Sequence, residues 1–366
     1  MARTRHAAAA FSLARWLGPW ASPGASPRDV RERRVLVEGT PSFDARLFSP
    51  PSTPVGALLL VPGLHFHGPG DPRFERFARV LAASGFVVFA PFLPAPMALR
   101  ADPRTADDLV RAWRVFLDVP ERPRDVQPGV FSISFGSLPA LLLAAREPVG
   151  GLVVFGGYAD FAGTLRFAVT GDGHEAPDPL NLCAIFLNIV DAIPGAPADP
   201  SRLVAAWHRF ATRTWGRPEL RTPEMRFKEI AREIAAELPA EERELFLVGC
   251  RVEPGAEEIV AAALARLSER ARALDADVER LSGIRAPVWL VHGAEDDVIP
   301  VEQLDILARR LPPGVLRGAF TTGLYGHTAH AGLGALLARG AGAVREARVM
   351  AGMLGAIVSA GTAPAE

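Results

Sequence analysis

The sequence predicts an α/β protein, a mostly parallel sheet covered by helices on both faces, and three observations carry that prediction. From Val35 onward, short apolar runs of strand length alternate with stretches of helical spacing. Some runs are apolar at every position, as in Ala57-Leu-Leu-Leu-Val61, which is how a strand buried on both faces reads. Between about Gly157 and Leu281 only helical patterns remain, after which the alternation resumes. Strands joined through helices run parallel, because a crossover returns the chain to the same edge.

The elements follow in order. Val35 to Val37 and Ala45 to Phe48 read as a leading pair of strands, with Gly39 and Pro41 turning the chain between them. Ala57 to Val61 is the first buried strand. Arg73 to Ser84 places Phe74, Phe77, Val80 and Leu81 at helical spacing, and Gly85 ends that helix before strand Phe86 to Phe89. A helix from Thr105 to Leu117 carries Leu109, Trp113 and Phe116 on one face. Strand Val130 to Ile133, a helix through Leu141 and Ala145, and strand Leu152 to Phe155 complete the first half.

The helical block holds Leu203, Trp207, Phe210 and Trp215 three to five residues apart. Thr222-Pro223-Glu224 has a capping hydroxyl and a first-turn proline, and Phe227, Ile230, Ile234 and Leu238 define one face of the helix expected there. Val260, Leu264, Leu267, Ala271, Leu274, Val278 and Leu281 predict one long helix, its stripe the buried face of its own domain rather than a coiled-coil seam. After Gly283 come strand Val288 to Val291, helix Val301 to Leu311, strand Val315 to Phe320 and a closing helix of small residues. The expected division is a flexible extension over 1–34, an α/β core over 35–157 and 284–366, and a helical cap over 158–283.

Composition bounds the function. With 49% hydrophobic and 22% charged residues in 366, the chain is neither disordered nor fibrous. Forty Lys and Arg against 41 Asp and Glu leave no basic excess for nucleic acid. Cys183 and Cys250 lack metal-ligand spacing and read as two buried thiols. The best membrane candidate, Leu180 to Ile193, is too short and carries Asn181, Asn188 and Asp191, so no transmembrane segment is expected. Arg3 and Arg5 before Ala7 to Ala14 resemble a secretory signal, but Arg15 interrupts the stretch and Pro19 and Pro23 follow. The expectation is a cytoplasmic protein; export, or attachment to a membrane surface through Trp16 and Trp20, is the alternative.

The chemistry gathers at strand ends. Ser132-Ile133-Ser134-Phe135-Gly136 lies directly between a strand and a helix, where a tight turn forces Ser134 outward. Small residues two places either side are needed to avoid neighbouring backbone; Gly136 meets this requirement and Ser132 meets it less comfortably. The N–H of Phe135, at the positive end of the helix, faces a developing oxyanion. His292-Gly-Ala-Glu-Asp-Asp-Val-Ile-Pro300 follows a later strand, and its acids Asp296 and Asp297, with Glu295 as a third, can orient a histidine.

Gly326-His327-Thr328-Ala329-His330 follows the next strand, with His327 the first choice of general base and His330 the reserve. Pro62-Gly63-Leu64 follows the first buried strand, where Gly63 lets the chain turn and the N–H of Leu64 can be the second oxyanion donor. His65 and His67, two apart without a carboxylate or cysteine partner in view, make no case for a metal.

These segments together resemble the α/β-hydrolase superfamily from Val35 to the C-terminus, apart from the helical insertion. Pro62-Gly63-Leu64 is similar to its oxyanion segment, Ser132 to Gly136 to its nucleophile elbow, Asp296 by position to its acid, and His327 to its histidine. The departure is Ser132, where the elbow usually has glycine. The resemblance implies an eight-stranded sheet, a Ser134-Asp296-His327 triad, a cap after the sixth strand and no cofactor. It leads to the expectation of a serine hydrolase cleaving a carboxylic ester or similar acyl bond of a small, partly apolar molecule. Peptidase, thioesterase, lactonase and acyltransferase activities are alternatives on the same triad, and a non-catalytic hydrolase-like binding protein is another.

Overall fold

A computed structural model of the chain describes residues 2–18, 24–171, 178–221, 224–323 and 342–365. Its strands are β1 (Arg31–Val37), β2 (Phe43–Ser49), β3 (Gly56–Val61), β4 (Phe86–Pro91), β5 (Val126–Gln127), β6 (Gly129–Ile133), β7 (Leu152–Phe155), β8 (Val288–Gly293), β9 (Leu316–Thr322) and β10 (Ala363–Pro364). Eight of them form one sheet in the order β1-β2-β4-β3-β6-β7-β8-β9, and β5 pairs with β10 in a small ladder of its own. β2 is antiparallel to both its neighbours, and every other pairing in the large sheet is parallel. The carboxyl ends of β3, β6, β7, β8 and β9 therefore share one edge.

Each buried strand splits its side chains between two cores. Ala57, Leu59 and Val61 of β3 face one, and Leu58 and Leu60 face the other. Every residue of β3 is buried, which is why its sequence shows no polar alternation. The first core is covered by α4 (Thr105–Asp118), α5 (Ser137–Arg146) and α14 (Glu302–Arg310), through residues such as Leu109, Leu141 and Leu304. The opposite core is covered by α1 (Ala2–Leu17), α2 (Pro72–Ala83) and α15 (Gly342–Gly361), through Leu13, Leu81 and Leu354. A leucine so buried contributes about 1.5–3 kcal/mol, so the two cores together outweigh any single surface interaction. A short helix, α3 (Pro94–Met97), follows β4.

Between β7 and β8, the sixth and seventh strands of the large sheet, the described residues form helices and no strand. These are α6 (Phe161–Thr170), α7 (Leu182–Ile189), α8 (Ser201–Thr214), α9 (Phe227–Ala236), α10 (Ala240–Gly249), α11 (Ala256–Arg266), α12 (Ser268–Ala273) and α13 (Val278–Leu281), with short 3-10 turns among them. The single long helix expected through Val260 and Leu281 is broken into α11, α12 and α13. Tertiary hydrogen bonds override its periodicity: Ala276 N–H donates to Ala159 O at 2.9 Å, and Phe161 N–H donates to Asp275 Oδ1 at 2.8 Å. The stripe is buried in its own chain at Val260, Leu264, Leu267, Ala271, Leu274 and Leu281, whereas Val278 is exposed. Thr222 and Pro223 lie outside the described residues, and α9 begins later than their capping pattern predicts, at Phe227.

The first 34 residues, expected as a flexible extension, supply α1 and the start of β1. Ala9 and Leu13 are buried and Trp16 packs beside them. β1 begins at Arg31 rather than Val35 because its first side chains are exposed arginines; two of them pair with Glu121 and Asp44, so no apolar alternation marks the start. Cys183 and Cys250 are buried free thiols, and burial pushes Cys183 up to about 12. Among the described residues no helix is long and apolar enough to cross a membrane.

Candidate active site

β6 ends in extended backbone at Ile133 and passes into a 3-10 turn, Ser134–Gly136, that leads directly into α5. Ser134 at the junction has φ +54°. A residue with a Cβ takes that conformation at a cost of about 1–2 kcal/mol, so the surrounding contacts must hold it there. Gly136 shows what holds it. A Cβ there would lie 2.4 Å from Pro62 O and 3.1 Å from Val61 O, so the turn is pressed against the end of β3. Gly63 touches the turn from the other side, where its Cβ would meet Ser134 Cβ at 3.0 Å and Ser134 Oγ at 3.5 Å.

The strand order β1-β2-β4-β3-β6-β7-β8-β9 with only β2 antiparallel, together with a serine in left-handed backbone at the end of the fifth strand and a glycine two residues later against the third, decides the architecture. The chain has the α/β-hydrolase fold.

The α/β-hydrolase fold brings the residues predicted as oxyanion donors next to the turn that carries Ser134. Leu64 follows Gly63, and Phe135 follows Ser134 in the first turn of helix, where N–H groups have no intrahelical acceptor. Ser132, the departure from the usual glycine, does not shift the elbow. It is fully buried in regular ladder positions opposite Val61 and Val154, and its hydroxyl lies 3.5 Å from Val153 O. The unusual backbone falls on Ser134 alone within this pentapeptide.

Asp296 stands beyond the end of β8, with its side chain 3% exposed. Oδ1 accepts hydrogen bonds from the N–H groups of Val298 at 2.9 Å and Ile299 at 2.8 Å. Oδ2 lies 3.6 Å from His292 Nε2 and 3.5 Å from where a Cβ on Gly156 would be. Gly156 follows β7, the strand between β6 and β8, so the carboxylate lies at the end of that neighbouring strand. Asp296 is buried, Asp297 is half-buried and Glu295 is exposed.

Buried at the end of β8, His292 shares its Nε2 hydrogen with Ile299 O at 2.9 Å and so closes the acid loop on itself. A histidine at a strand end, four residues before an acid, was the signal. His327 and His330 lie outside the described residues. The strand before them ends at Thr322, and buried Glu346 accepts from Thr322 Oγ1 and from Gly323 N–H, both at 3.1 Å. Thr322 O in turn accepts from Ala294 N–H at 2.8 Å, joining the acid loop to the stem of the histidine-bearing segment. Glu346 carried no sequence signal, because its partners are on another element.

Of the two loop histidines, His65 has both ring nitrogens engaged. Nε2 faces Asp71 Oδ2 at 3.3 Å, and Nδ1 accepts from His67 N–H at 3.2 Å. Burial holds its imidazole below the ordinary value, although the Asp71 carboxylate pulls the other way.

No family model matches the chain, and no curated protein matches it. Among solved structures, it is similar to an acylaminoacyl peptidase of Pyrococcus horikoshii, at 13% identity over 82% of this chain with a TM-score of 0.47. The chain spans 38% of that peptidase's length. It is similar to a 2,6-dihydroxy-pseudo-oxynicotine hydrolase, at 15% identity over 90% of this chain and 68% of the other, with a TM-score of 0.48. It is also similar to the esterase domain of a Rhodothermus marinus protein, at 15% identity over 87% and 98%, with a TM-score of 0.43.

Proposed function

We propose that this chain is a serine hydrolase that cleaves a carboxylic ester or similar acyl bond of a small molecule. The observation that carries the reading is Ser134 at φ +54° on the turn wedged by Gly136 against Pro62. Strain of that kind is kept where the surroundings over-determine it, and here it lifts one hydroxyl off the strand end.

In the reaction, Ser134 Oγ attacks the carbonyl carbon while His327 takes its proton. Asp296 holds the imidazole in the right tautomer and balances the imidazolium. The N–H groups of Leu64 and Phe135 receive the oxyanion; one such donor is worth about 10²- to 10³-fold in turnover. His327 then protonates the leaving alcohol, and water, deprotonated by the same histidine, releases the acid. The chemistry needs no cofactor. The helices over 158–283 serve as a cap that shields the acyl-enzyme from bulk water.

The experiment is hydrolysis of p-nitrophenyl esters of increasing chain length by wild type and Ser134→Ala, with fluorophosphonate labelling alongside. Turnover and labelling should both be present in wild type and lost in the variant. A folded wild-type protein that neither turns over any ester nor takes the label would leave the reading without support and favour a binding protein.

A further inference from the structure

The turn that carries Leu64 continues into three consecutive rings, and two more meet them from the helices over 158–283. Phe66 stacks on His65 at 4.6 Å between centroids and lies 4.4 Å from His67. Trp215, just after α8, lies 6.1 Å from Phe66 and 5.7 Å from His65, and His208 on α8 lies 6.3 Å from Phe66.

This cluster differs from the aromatic clusters that build the core. Phe89, Phe116 and Trp113 are wholly buried, and so are Phe186, Trp207 and Phe246. Phe66, His65, His208 and Trp215 are each half-buried, and His67 is exposed. His208 also borders a surface cleft of about 780 Å³ that Arg100, Asp191, Arg209 and Arg213 line along with Val204 and Ala205. Packing alone does not require large rings to stay partly uncovered at a seam between two parts of a molecule.

The polar atoms of His65 and Trp215 are engaged within the protein: His65 uses both nitrogens, and Trp215 Nε1–H donates to Leu180 O at 2.8 Å, while His208 Nε2 pairs with Met97 O at 3.3 Å. What Phe66 and Trp215 offer a ligand is ring face and ring edge. Ring faces discriminate aromatic from saturated groups of the same size, through offset-stacked and edge-on contacts.

We propose that the substrate of this site is an ester carrying an aromatic ring, bound against Phe66 and Trp215 beside the oxyanion turn. The proposal rests on Ser134 being the nucleophile. The test compares methyl phenylacetate with methyl cyclohexylacetate, which differ only in saturation of the ring, by titrating the acid released. Wild type should favour the aromatic ester in kcat/KM. Phe66→Leu, which keeps the bulk and loses the ring, should cut that preference about three- to tenfold, the worth of one aromatic pair, while Phe66→Tyr keeps it. Trp215→Leu is the second variant and should cut it likewise.

Equal kcat/KM for the two esters in wild type overturns the proposal. So does a preference that survives both leucine variants, or turnover of p-nitrophenyl acetate with neither test ester hydrolysed. In each of those cases wild-type labelling by a fluorophosphonate shows that the serine reading stands on its own. Absence of labelling and of all turnover removes both.

Discussion

Gly136→Ala tests the elbow at its tightest point. The new Cβ would lie 2.4 Å from Pro62 O and 3.1 Å from Val61 O, both backbone atoms, so no side chain can rotate away. An ordinary carbon–oxygen contact is about 3.3 Å, so the turn and the end of β3 must separate by about 0.9 Å. Overpacking of this kind costs about 1–3 kcal/mol in stability. The effect on activity should be larger, because the movement separates the two N–H groups proposed as oxyanion donors: Leu64 follows β3, and Phe135 travels with the elbow. A misplacement near 1 Å at a reacting centre costs about 100-fold.

The assay is kcat/KM on a p-nitrophenyl ester for wild type, Gly136→Ala and Ser132→Gly, with urea unfolding of each. Gly136→Ala should fall at least thirtyfold at a temperature where it remains folded, roughly the lower end of that estimate. Ser132→Gly, which only empties a small volume inside a regular strand, should stay within about threefold, since it leaves the donors where they are. A Gly136→Ala protein within about threefold of wild type would refute the claim that this contact sets the site.

Two further outcomes follow from buried polar groups. Burial keeps His65 harder to protonate than the ordinary imidazole at 6.5, so the unfolded chain takes that proton first and stability falls as pH drops through about 6.5. Urea midpoints from pH 8 to 5 should decline more steeply for wild type than for His65→Phe; parallel curves would contradict this. Asp71, despite the opposing effect of burial, is held below 3.8 by Arg73 and His65, so its contribution persists above that pH and is lost only as pH falls further. Glu346→Ala removes the carboxylate that accepts from the Thr322 hydroxyl and the Gly323 N–H, at a cost of about 1–3 kcal/mol, and should also lower ester turnover more than Glu346→Gln does. Unchanged turnover in the alanine variant would separate Glu346 from the histidine-bearing segment.

The parts of this molecule that were legible in the sequence are those whose signal is local. β3 announces itself because burial on both faces demands apolar residues throughout, and the elbow because a sharp strand-to-helix turn demands a small residue at Gly136. Where two chain segments share a hydrogen bond, the local pattern misleads. The stripe through Val260 and Leu281 has the spacing of one helix, yet Ala276 leaves it to donate to Ala159, and the helix breaks there. β1 misleads in the opposite direction, since exposed arginines satisfied by distant acids hide a strand that the ladder opposite β2 makes inevitable.

The same distinction runs through the site. Ser134 and Asp296 are proposed by counting residues after a strand, because the sheet edge collects such positions whatever lies between. Of their supports, His292 closes the acid loop from four residues before the acid and so leaves a spacing to count, whereas Glu346 bracing Thr322 is set by a contact across elements and leaves none. Substrate selection belongs to this second kind. The rings that would choose it come from a core turn at Phe66 and from Trp215 about 150 residues later, and only the fold brings them within 6.1 Å. The reaction class can therefore be argued from single loops, whereas the substrate must be argued from their meeting.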